Sequence, residues 1–160
     1  MNSELWQQAL TYASNLHAEQ TRKGKDVPYI SHLMGVAAIV LEQGGSENQA
    51  IGALLHDAVE DQDVTVEEIQ ERFGDEVAEI VEGCTNAKAE SKSEWRGGKK
   101  EYIDHLSEAG PSVWLVAAAD KLYNARNILE DYRIKGESLW DRFPGGRAAA
   151  HVDRISGHLE

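Results

Sequence analysis

The chain has 160 residues, which is the length of a single domain. Hydrophobic residues make up 41% of it and charged residues 28%, so it can bury a core and does not belong to the disordered class. Its 16 Lys and Arg against 28 Asp and Glu give a net charge of −12, which argues against a general nucleic-acid-binding protein because a polyanion would be repelled.

Cysteine usage and hydropathy restrict the class of protein further. The single cysteine, Cys84, excludes an internal disulfide framework and a zinc site built from several cysteines. The N-terminal residues lack the charged start and apolar run of a signal peptide, and no apolar stretch approaches the roughly 20 residues of a membrane helix. We therefore expect a soluble, cytoplasmic protein that binds neither a membrane nor a nucleic acid.

Helical periodicity of apolar residues covers the first part of the chain. An apolar stripe over residues 3–20 predicts the first helix, with Ser3 as its N-cap. The polar stretch from Thr21 to Tyr29 predicts a loop. Apolar character resumes at Ile30 and predicts a second helix that ends at Gly44-Gly45, since glycine favours helix C-termini.

The third predicted helix begins near Ser46, runs through Val59 and is apolar on more than one side. We therefore expect it to be the central, buried helix. Residues 65–68 form a capping-box pattern that opens the next helix, which is expected to stop near Phe73-Gly74. Asp75 is predicted to cap another helix.

Residues 86–100 differ from the rest of this acidic chain because they are rich in Lys and Arg and contain Gly97-Gly98, which predicts a mobile loop. A helical stripe at residues 102–106 follows, and Gly110-Pro111 breaks it. The last predicted helix runs from about Ser112 to Arg133.

No strand-type alternation of any length appears in the sequence. We therefore predict an all-α fold, a single helical bundle of about seven helices. The predicted domain covers residues 1–143, and residues 144–160 are expected to form an atypical C-terminal tail.

His56-Asp57 is the most informative dipeptide, because it places two polar residues inside an apolar helix that should be buried. A buried carboxylate and a buried imidazole each need a partner, and one divalent metal would satisfy both. The dipeptide alone is equally compatible with a histidine at a helix end and an aspartate that caps the next turn.

Two further residues extend this pattern. His32 lies in the first turn of the predicted second helix, and Asp120 ends an apolar run in the last one. Each alone is compatible with an ordinary capped or hydrogen-bonded residue. Together with His56-Asp57 they supply two imidazoles and two carboxylates, a mixed set that suits Mn²⁺, Fe²⁺ or Zn²⁺. Four protein ligands on a six-coordinate ion would leave positions for water and substrate.

The order His32, His56-Asp57, Asp120 resembles the H…HD…D motif of the HD phosphohydrolase superfamily. The surrounding segments are similar to the hydrolase half of RelA/SpoT proteins and to its small stand-alone relatives. These segments are Arg22-Lys23-Gly24, residues 28–32, residues 54–61 with Thr65, Phe73-Gly74 and residues 120–126.

The resemblance implies one Mn²⁺, with other divalent transition metals as alternatives. Its implied ligands are His32, His56, Asp57 and Asp120. The resemblance also implies that the two carboxylates one turn further on position and deprotonate the attacking water. These carboxylates are Glu60 and Asp61.

A phosphate-rich substrate needs local positive charge, especially on a chain with a net charge of −12. The resemblance implies that Arg22 and Lys23 act at the nucleotide and that Asn124 lies near the nucleoside. A second basic cluster resembles the basic segment of the stand-alone relatives and comprises Arg96, Lys99 and Lys100. For either cluster, an exposed solubilising patch is the alternative.

The implied reaction is hydrolysis of the 3′-pyrophosphate of (p)ppGpp, which gives GDP or GTP and pyrophosphate. Two alternatives stay open: the same chemistry on another nucleotide or phosphate ester, and a nucleotide-sensing HD module without turnover. Tyr123 stands where a histidine is common in the family, and Asn86 where a lysine is frequent, so substrate preference stays open. The sequence also leaves open whether the chain forms homo-oligomers.

Overall fold

The computed structural model describes residues 3–85 and 109–142. Helices account for most of these residues, and the one extended pairing within them is an isolated antiparallel bridge between Thr21 and Pro28. The prediction of an all-α fold is confirmed. The helices are α1 (Glu4–Leu16), α2 (Ile30–Glu42), α3 (Glu47–Leu55), α4 (Ala58–Asp61), α5 (Val66–Phe73), α6 (Asp75–Cys84) and α7 (Pro111–Lys135), followed by a 3₁₀ helix (Gly136–Arg142).

Side-chain caps set the first residue of three helices. Ser3 accepts a hydrogen bond from the backbone N–H of Trp6, and Thr65 accepts one from Glu68. The reciprocal capping box, in which each residue bonds the other's backbone, occurs instead between Ser46 and Gln49. The sequence pattern at residues 65–68 therefore predicts the correct helix start but only half of the capping interaction.

The predicted end of the first helix and the predicted N-cap of α6 are wrong. The first helix ends at Leu16 rather than at residue 20, because the backbone turns at His17 and enters the hairpin-like segment that leads to α2. Asp75 is not a capping residue. Gly74 occupies the N-cap position of α6 without a side-chain bond, and the Asp75 carboxylate accepts a hydrogen bond from Gln70 instead.

Helix α3 lies at the centre of the fold, as predicted. Its last six residues, 50–55, are all buried, and it packs against α1, α2, α6 and α7. Gly52 allows the close approach of α6, since an added Cβ would lie 2.6 Å from Cγ2 of Ile80. The predicted extension of this helix through Val59 is wrong, because α3 ends at Leu55 and a new turn begins after Asp57.

The long helix α7 closes the bundle against α2, α3 and α6. It begins at Pro111, which can occupy the first turn because that position needs no N–H donor. Within the residues described, no helix combines the length and apolar character that crossing a membrane requires. The predicted basic loop at 86–100, the stripe at 102–106 and the tail at 144–160 lie outside the described residues.

Candidate metal centre and active site

Four side chains that the sequence singled out converge where α2, α3, α4 and α7 meet. His32 lies in the first turn of α2, and His56 is the C-cap of α3. Asp57 is the N-cap of the short helix α4, and Asp120 lies in the first half of α7. The structure thus brings together all four residues predicted as metal ligands.

The donor atoms of these residues lie close to one another. Asp57 Oδ2 is 3.1 Å from Nε2 of His56 and 3.5 Å from Nε2 of His32. Asp120 Oδ1 is 3.3 Å from Nε2 of His32 and 3.9 Å from Nε2 of His56. The two imidazoles are 2% and 4% exposed and the two carboxylates 19% and 12%, so the cluster is largely removed from water.

The chemistry of this donor set fits a divalent cation. Nδ1 of His56 is 2.8 Å from the carbonyl oxygen of Ala53, and a carbonyl only accepts, so Nδ1 carries the hydrogen. In the neutral ring, Nε2 then directs a lone pair towards the carboxylates, and it is buried without a hydrogen-bond partner in the described part of the chain. His32, His56 and Asp57 each offer one atom, and these atoms lie within 4.8 Å of one another. A divalent cation among these atoms would coordinate the lone pair of Nε2 together with the carboxylate oxygens.

The pKa values of the cluster show that its carboxylates stabilise positive charge nearby. Burial acts to lower the pKa of His56, but the Asp57 carboxylate and then Asp120 outweigh it and raise that pKa to about 9. Burial acts to raise the pKa of Asp57, yet the adjacent imidazoles hold it well below its usual range. The pKa of Asp120 is also lowered, against the effect of burial, by the His32 hydrogen bond and by Lys121.

Hydrogen-bond donors outside the cluster orient both carboxylates. The Tyr29 hydroxyl donates to Oδ2 of Asp57 over 2.6 Å. The Asn124 amide donates to Oδ1 of Asp120 over 2.6 Å, and Lys121 donates to its Oδ2 over 2.8 Å. Such outer partners fix the geometry of ligands before a metal arrives.

A polar chain connects the cluster to two of the predicted substrate residues, Asn124 and Arg22. Arg22 donates to Oδ1 of Asn124 over 2.6 Å, and Asn124 in turn donates to Asp120. The Arg22 guanidinium also lies over the rings of Tyr29 and Tyr123, at 5.6 Å and 5.9 Å from their centroids. The cationic group is therefore linked to the Asp120 carboxylate through Asn124.

The other predicted substrate residues fall into two groups. Lys23 is exposed in the loop, next to Arg22 in sequence. The remaining three lie outside the described residues, and they are Arg96, Lys99 and Lys100.

Comparison with known proteins identifies the family. The model of the family described as HD domain matches residues 9–141. The chain belongs to the HD domain family. The prediction made from the H…HD…D motif is therefore confirmed.

Relatives of this HD domain carry a specific activity in their names. The guanosine-3′,5′-bis(diphosphate) 3′-pyrophosphohydrolase MESH1 of Xenopus tropicalis is 41% identical over 124 residues, which cover 76% of this chain and 68% of the relative. The human protein of the same name is 38% identical over 133 residues, covering 80% of this chain and 73% of the relative. A guanosine-3′,5′-bis(diphosphate) 3′-pyrophosphohydrolase of Aquifex aeolicus is 41% identical over 128 residues, 79% of this chain but only 18% of that longer protein.

Solved structures share the fold of this HD domain. A metazoan ortholog of SpoT, described as hydrolysing ppGpp, superposes with a TM-score of 0.73 at 26% identity and covers 98% of this chain and 95% of its own. A protein of Listeria monocytogenes EGD-e superposes with a TM-score of 0.66 at 30% identity, covering 81% of this chain and 86% of its own. The helical arrangement is therefore that of HD-domain relatives.

The two predicted catalytic carboxylates of the HD domain lie on the single turn of α4 that follows Asp57. The backbone N–H of Asp61 donates to the Asp57 carbonyl over 2.9 Å, so this turn begins directly at one of the candidate metal ligands. Glu60 is half-buried, whereas Asp61 is exposed and its Oδ2 accepts a hydrogen bond from Gln20 over 2.7 Å. Both carboxylates thus lie within one helical turn of Asp57 along the chain.

Sequence reasoning missed four residues that surround these groups. Tyr29 was part of a recognised motif, but nothing in the motif indicated that its hydroxyl would bond Asp57. The other three are buried or half-buried polar side chains in the turn after α1 and in the loop after α4, with no periodicity to link them. They are His17, Gln20 and Gln62.

Proposed function

We propose that this chain hydrolyses the 3′-diphosphate of guanosine 3′,5′-bis(diphosphate), with GDP and pyrophosphate as products, and that it acts likewise on the 5′-triphosphate form to give GTP. The observation that carries the proposal is the convergence of His32, His56, Asp57 and Asp120 on one buried point. The substrate class is supported by relatives of 38% to 41% identity that are named for this reaction.

We further propose Mn²⁺ as the metal, held by His32, His56, Asp57 and Asp120. Two imidazoles and two carboxylates form a mixed nitrogen and oxygen set that suits Mn²⁺ better than Mg²⁺, which is less at home among imidazoles. A divalent metal bound there would lower the pKa of a coordinated water and polarise a phosphoryl oxygen.

The carboxylates of α4 would position the attacking water and accept its proton. Glu60 and Asp61 lie one turn beyond the ligand Asp57, and a carboxylate in that position can accept a proton from the attacking water. The water oxygen would attack the phosphorus bonded to the ribose 3′-oxygen, and that P–O bond would break to release pyrophosphate. The 3′-oxygen would leave with a proton.

The substrate would lie along the Arg22 side of the cluster. Arg22 can present a guanidinium fork to phosphate oxygens, and Lys23 supplies a compact charge in the same loop. Asn124 links Arg22 to Asp120, so it can fix the position of Arg22, the proposed nucleotide contact, relative to Asp120, the proposed metal ligand. We extend the phosphate site to Arg96, Lys99 and Lys100, which the sequence groups in one basic segment.

The organisation around this site completes the proposal. We propose that the catalytic domain comprises residues 1–143, that residues 144–160 form an atypical C-terminal tail, and that the protein works in the cytoplasm. A small nucleotide is the proposed partner. Neither a nucleic acid nor a membrane fits a chain with a net charge of −12.

Product analysis tests the proposed reaction. Metal-free protein is incubated with ppGpp, with and without Mn²⁺, and GDP and pyrophosphate are quantified. We expect release of both products in equal amounts only when Mn²⁺ is present. Tight binding of ppGpp without release of product would favour a sensing module instead. Turnover of other phosphate esters, but not of ppGpp, would support a phosphohydrolase activity and reject ppGpp as its substrate.

A pair of matched variants tests the metal site separately. Asp120→Ala removes one carboxylate of the cluster, whereas Asp63→Ala removes an exposed carboxylate from the loop after α4. We expect Asp120→Ala to lose bound Mn²⁺ and activity together, and Asp63→Ala to retain both. Circular dichroism verifies that each variant is folded. A folded Asp120→Ala variant with stoichiometric metal would contradict the ligand assignment.

A further inference from the structure

Asp61 is the more exposed of the two carboxylates proposed to handle water, and it lies at the last position of a helix of only four residues. One turn of helix fixes the backbone of Asp61 through its bond to Asp57, but it does not fix the side chain. A carboxylate on such a turn would sample several rotamers in solvent. Its side chain therefore needs a tether if it is to face one water molecule.

Gln20 provides that tether from a distant part of the chain. Its amide nitrogen donates to Oδ2 of Asp61 over 2.7 Å, across 41 positions in sequence. Gln20 lies in the turn between α1 and the loop that carries Arg22, so the contact joins this loop to α4. The bond engages Oδ2 and leaves Oδ1 as the acceptor for a proton from water.

The orientation of the Gln20 amide is itself fixed. Its carbonyl oxygen accepts from Nδ1 of His17 over 2.6 Å and from the amide nitrogen of Gln62 over 2.9 Å. A reversed amide would set its NH₂ group against the Gln62 donor and its oxygen against the Asp61 carboxylate. Only one orientation therefore satisfies all three neighbours.

His17 anchors this arrangement in the interior. It is 2% exposed, and its ring stacks on that of Tyr29, with centroids 5.2 Å apart. Because Gln20 Oε1 is only an acceptor, Nδ1 of His17 must carry a hydrogen. Tyr29 also donates to Asp57, so the same group of side chains contacts both the proposed metal ligand and the tether of Asp61.

We propose that Gln20 is a positioning residue for catalysis, which holds the Asp61 carboxylate through its amide N–H while His17 and Gln62 lock the orientation of the amide. This inference rests on the proposed function, in which Asp61 acts on the attacking water. Gln20 itself is not required to touch substrate or metal.

Two substitutions at position 20 separate a donor role from a packing role. Gln20→Leu removes all polar contacts, and the loss of a hydrogen bond to a charged group predicts a fall in kcat of about 10- to 100-fold, with KM and Mn²⁺ affinity unchanged. Gln20→Glu retains the shape and an oxygen that accepts from His17 and Gln62, but it replaces the donor to Asp61 by a second carboxylate oxygen. We expect kcat of Gln20→Glu to fall at least as far. A near-normal kcat for Gln20→Glu would show that Gln20 only fills space.

Gln8→Leu is the matched control. Gln8 also donates its amide N–H to a carboxylate, Glu4 Oε1 at 3.3 Å, but on the exposed surface of α1. We expect its kcat, KM and melting temperature to stay at the wild-type values. A fall in kcat for Gln8→Leu equal to that for Gln20→Leu would attribute the effect to general loss of surface hydrogen bonds and reject the proposal.

A double-mutant cycle with Asp61→Ala completes the test. If Gln20 acts through Asp61, then Gln20→Leu should cause no further loss of kcat in the Asp61→Ala background. Multiplicative losses would overturn the positioning role.

Failure of the proposed function gives different results. Wild-type protein without ppGpp turnover would reject the proposed reaction, and an active Asp61→Ala variant would reject the proposed role of Asp61. Should Asp61→Ala be too slow to measure, the comparison of Gln20→Glu with Gln20→Leu decides.

Discussion

Oδ2 of Asp57 is the atom at which three side chains meet. The imidazoles of His32 and His56 lie 3.5 Å and 3.1 Å from it, and the Tyr29 hydroxyl donates to it over 2.6 Å. Burial, followed by the Asp57 charge, raises the pKa of Tyr29 above its usual range, so this residue stays a protonated donor at physiological pH. Tyr29 thus orients a proposed metal ligand with a neutral group.

Replacing Tyr29 with phenylalanine removes this hydroxyl and leaves the ring that stacks on His17. Loss of such an outer partner of a metal ligand predicts Mn²⁺ binding that is weaker by about 10- to 100-fold. Isothermal titration of metal-free protein with Mn²⁺ measures the change. Tyr12→Phe is the control, because Tyr12 donates to Glu68 over 2.9 Å on the α1–α5 side of the molecule. An unchanged affinity in Tyr29→Phe would show that Asp57 needs no such orientation.

Glu60→Gln tests the neighbouring carboxylate, which is half-buried on α4. The amide has nearly the same shape but cannot accept the proton of the attacking water. We expect bound Mn²⁺ to remain stoichiometric while kcat falls by about 10²- to 10⁴-fold, the range of general acid–base catalysis. Steady-state kinetics and metal analysis of the same sample measure both. Glu71→Gln, on the exposed side of α5, should behave as wild type, and normal kcat in Glu60→Gln would reject its role.

The sequence alone could predict which four side chains come together but not the side chains that support them. His56 and Asp57 interrupt an apolar helical pattern, where a polar group is costly without a partner. His32 and Asp120 lie at the two ends of apolar runs, and the resemblance to the H…HD…D motif links all four. Gln20 carries no such signal, since a glutamine in a turn is ordinary. Its importance depends on an amide–carboxylate contact between residues 41 positions apart, which only the three-dimensional structure defines.

At the scale of elements, the break between α3 and α4 is the feature that the hydrophobic pattern could not predict. Apolar residues lie on both sides of His56-Asp57, at Leu54, Leu55, Ala58 and Val59, so the pattern is that of one helix. In the structure, Asp57 has φ −97° and ψ 0°, a sparsely populated region of backbone conformation. The break is what allows His56 and Asp57, which diverge by about 100° on a regular helix, to face the same point.

The packing of α3 against α6 gives a prediction at this scale. Gly52→Ala would place a Cβ 2.6 Å from Cγ2 and 3.0 Å from Cβ of Ile80, atoms that cannot swing away because isoleucine is branched at Cβ. Alanine gains up to about 1 kcal/mol of helix propensity, whereas overpacking a core costs about 1–3 kcal/mol. Because the 2.6 Å contact is severe, we expect a net loss of about 1–2 kcal/mol in the free energy of unfolding, measured with urea.

The Ile80→Ala background provides the control for this effect. Removal of Cγ2 relieves the 2.6 Å contact, whereas the 3.0 Å contact with Cβ of residue 80 remains. We therefore expect Gly52→Ala to cost clearly less in that background than in the wild type, although Ile80→Ala itself lowers stability. Equal destabilisation by Gly52→Ala in both backgrounds would show that the contact with Ile80 is not the cause.

At the scale of the whole molecule, the proposed metal centre connects elements that are distant in sequence. Its four ligands come from the start of α2, the junction of α3 and α4, and the first half of α7, so they are close together only in the folded chain. The cluster also concentrates two carboxylates in a protein whose net charge is already −12. A divalent cation would relieve this repulsion as well as complete the site.

Metal binding should therefore stabilise the fold as a whole. A ligand that binds the folded but not the unfolded chain, at a hundred times its Kd, adds about 2.7 kcal/mol to the free energy of unfolding. For a domain of this size we expect Mn²⁺ to raise Tm by about 5–10 °C. Scanning calorimetry of metal-free protein, with and without Mn²⁺, measures this shift. Asp63→Ala should retain the shift and Asp120→Ala should lose it, because only Asp120 belongs to the cluster. A full shift in Asp120→Ala would place the stabilising ion elsewhere in the molecule.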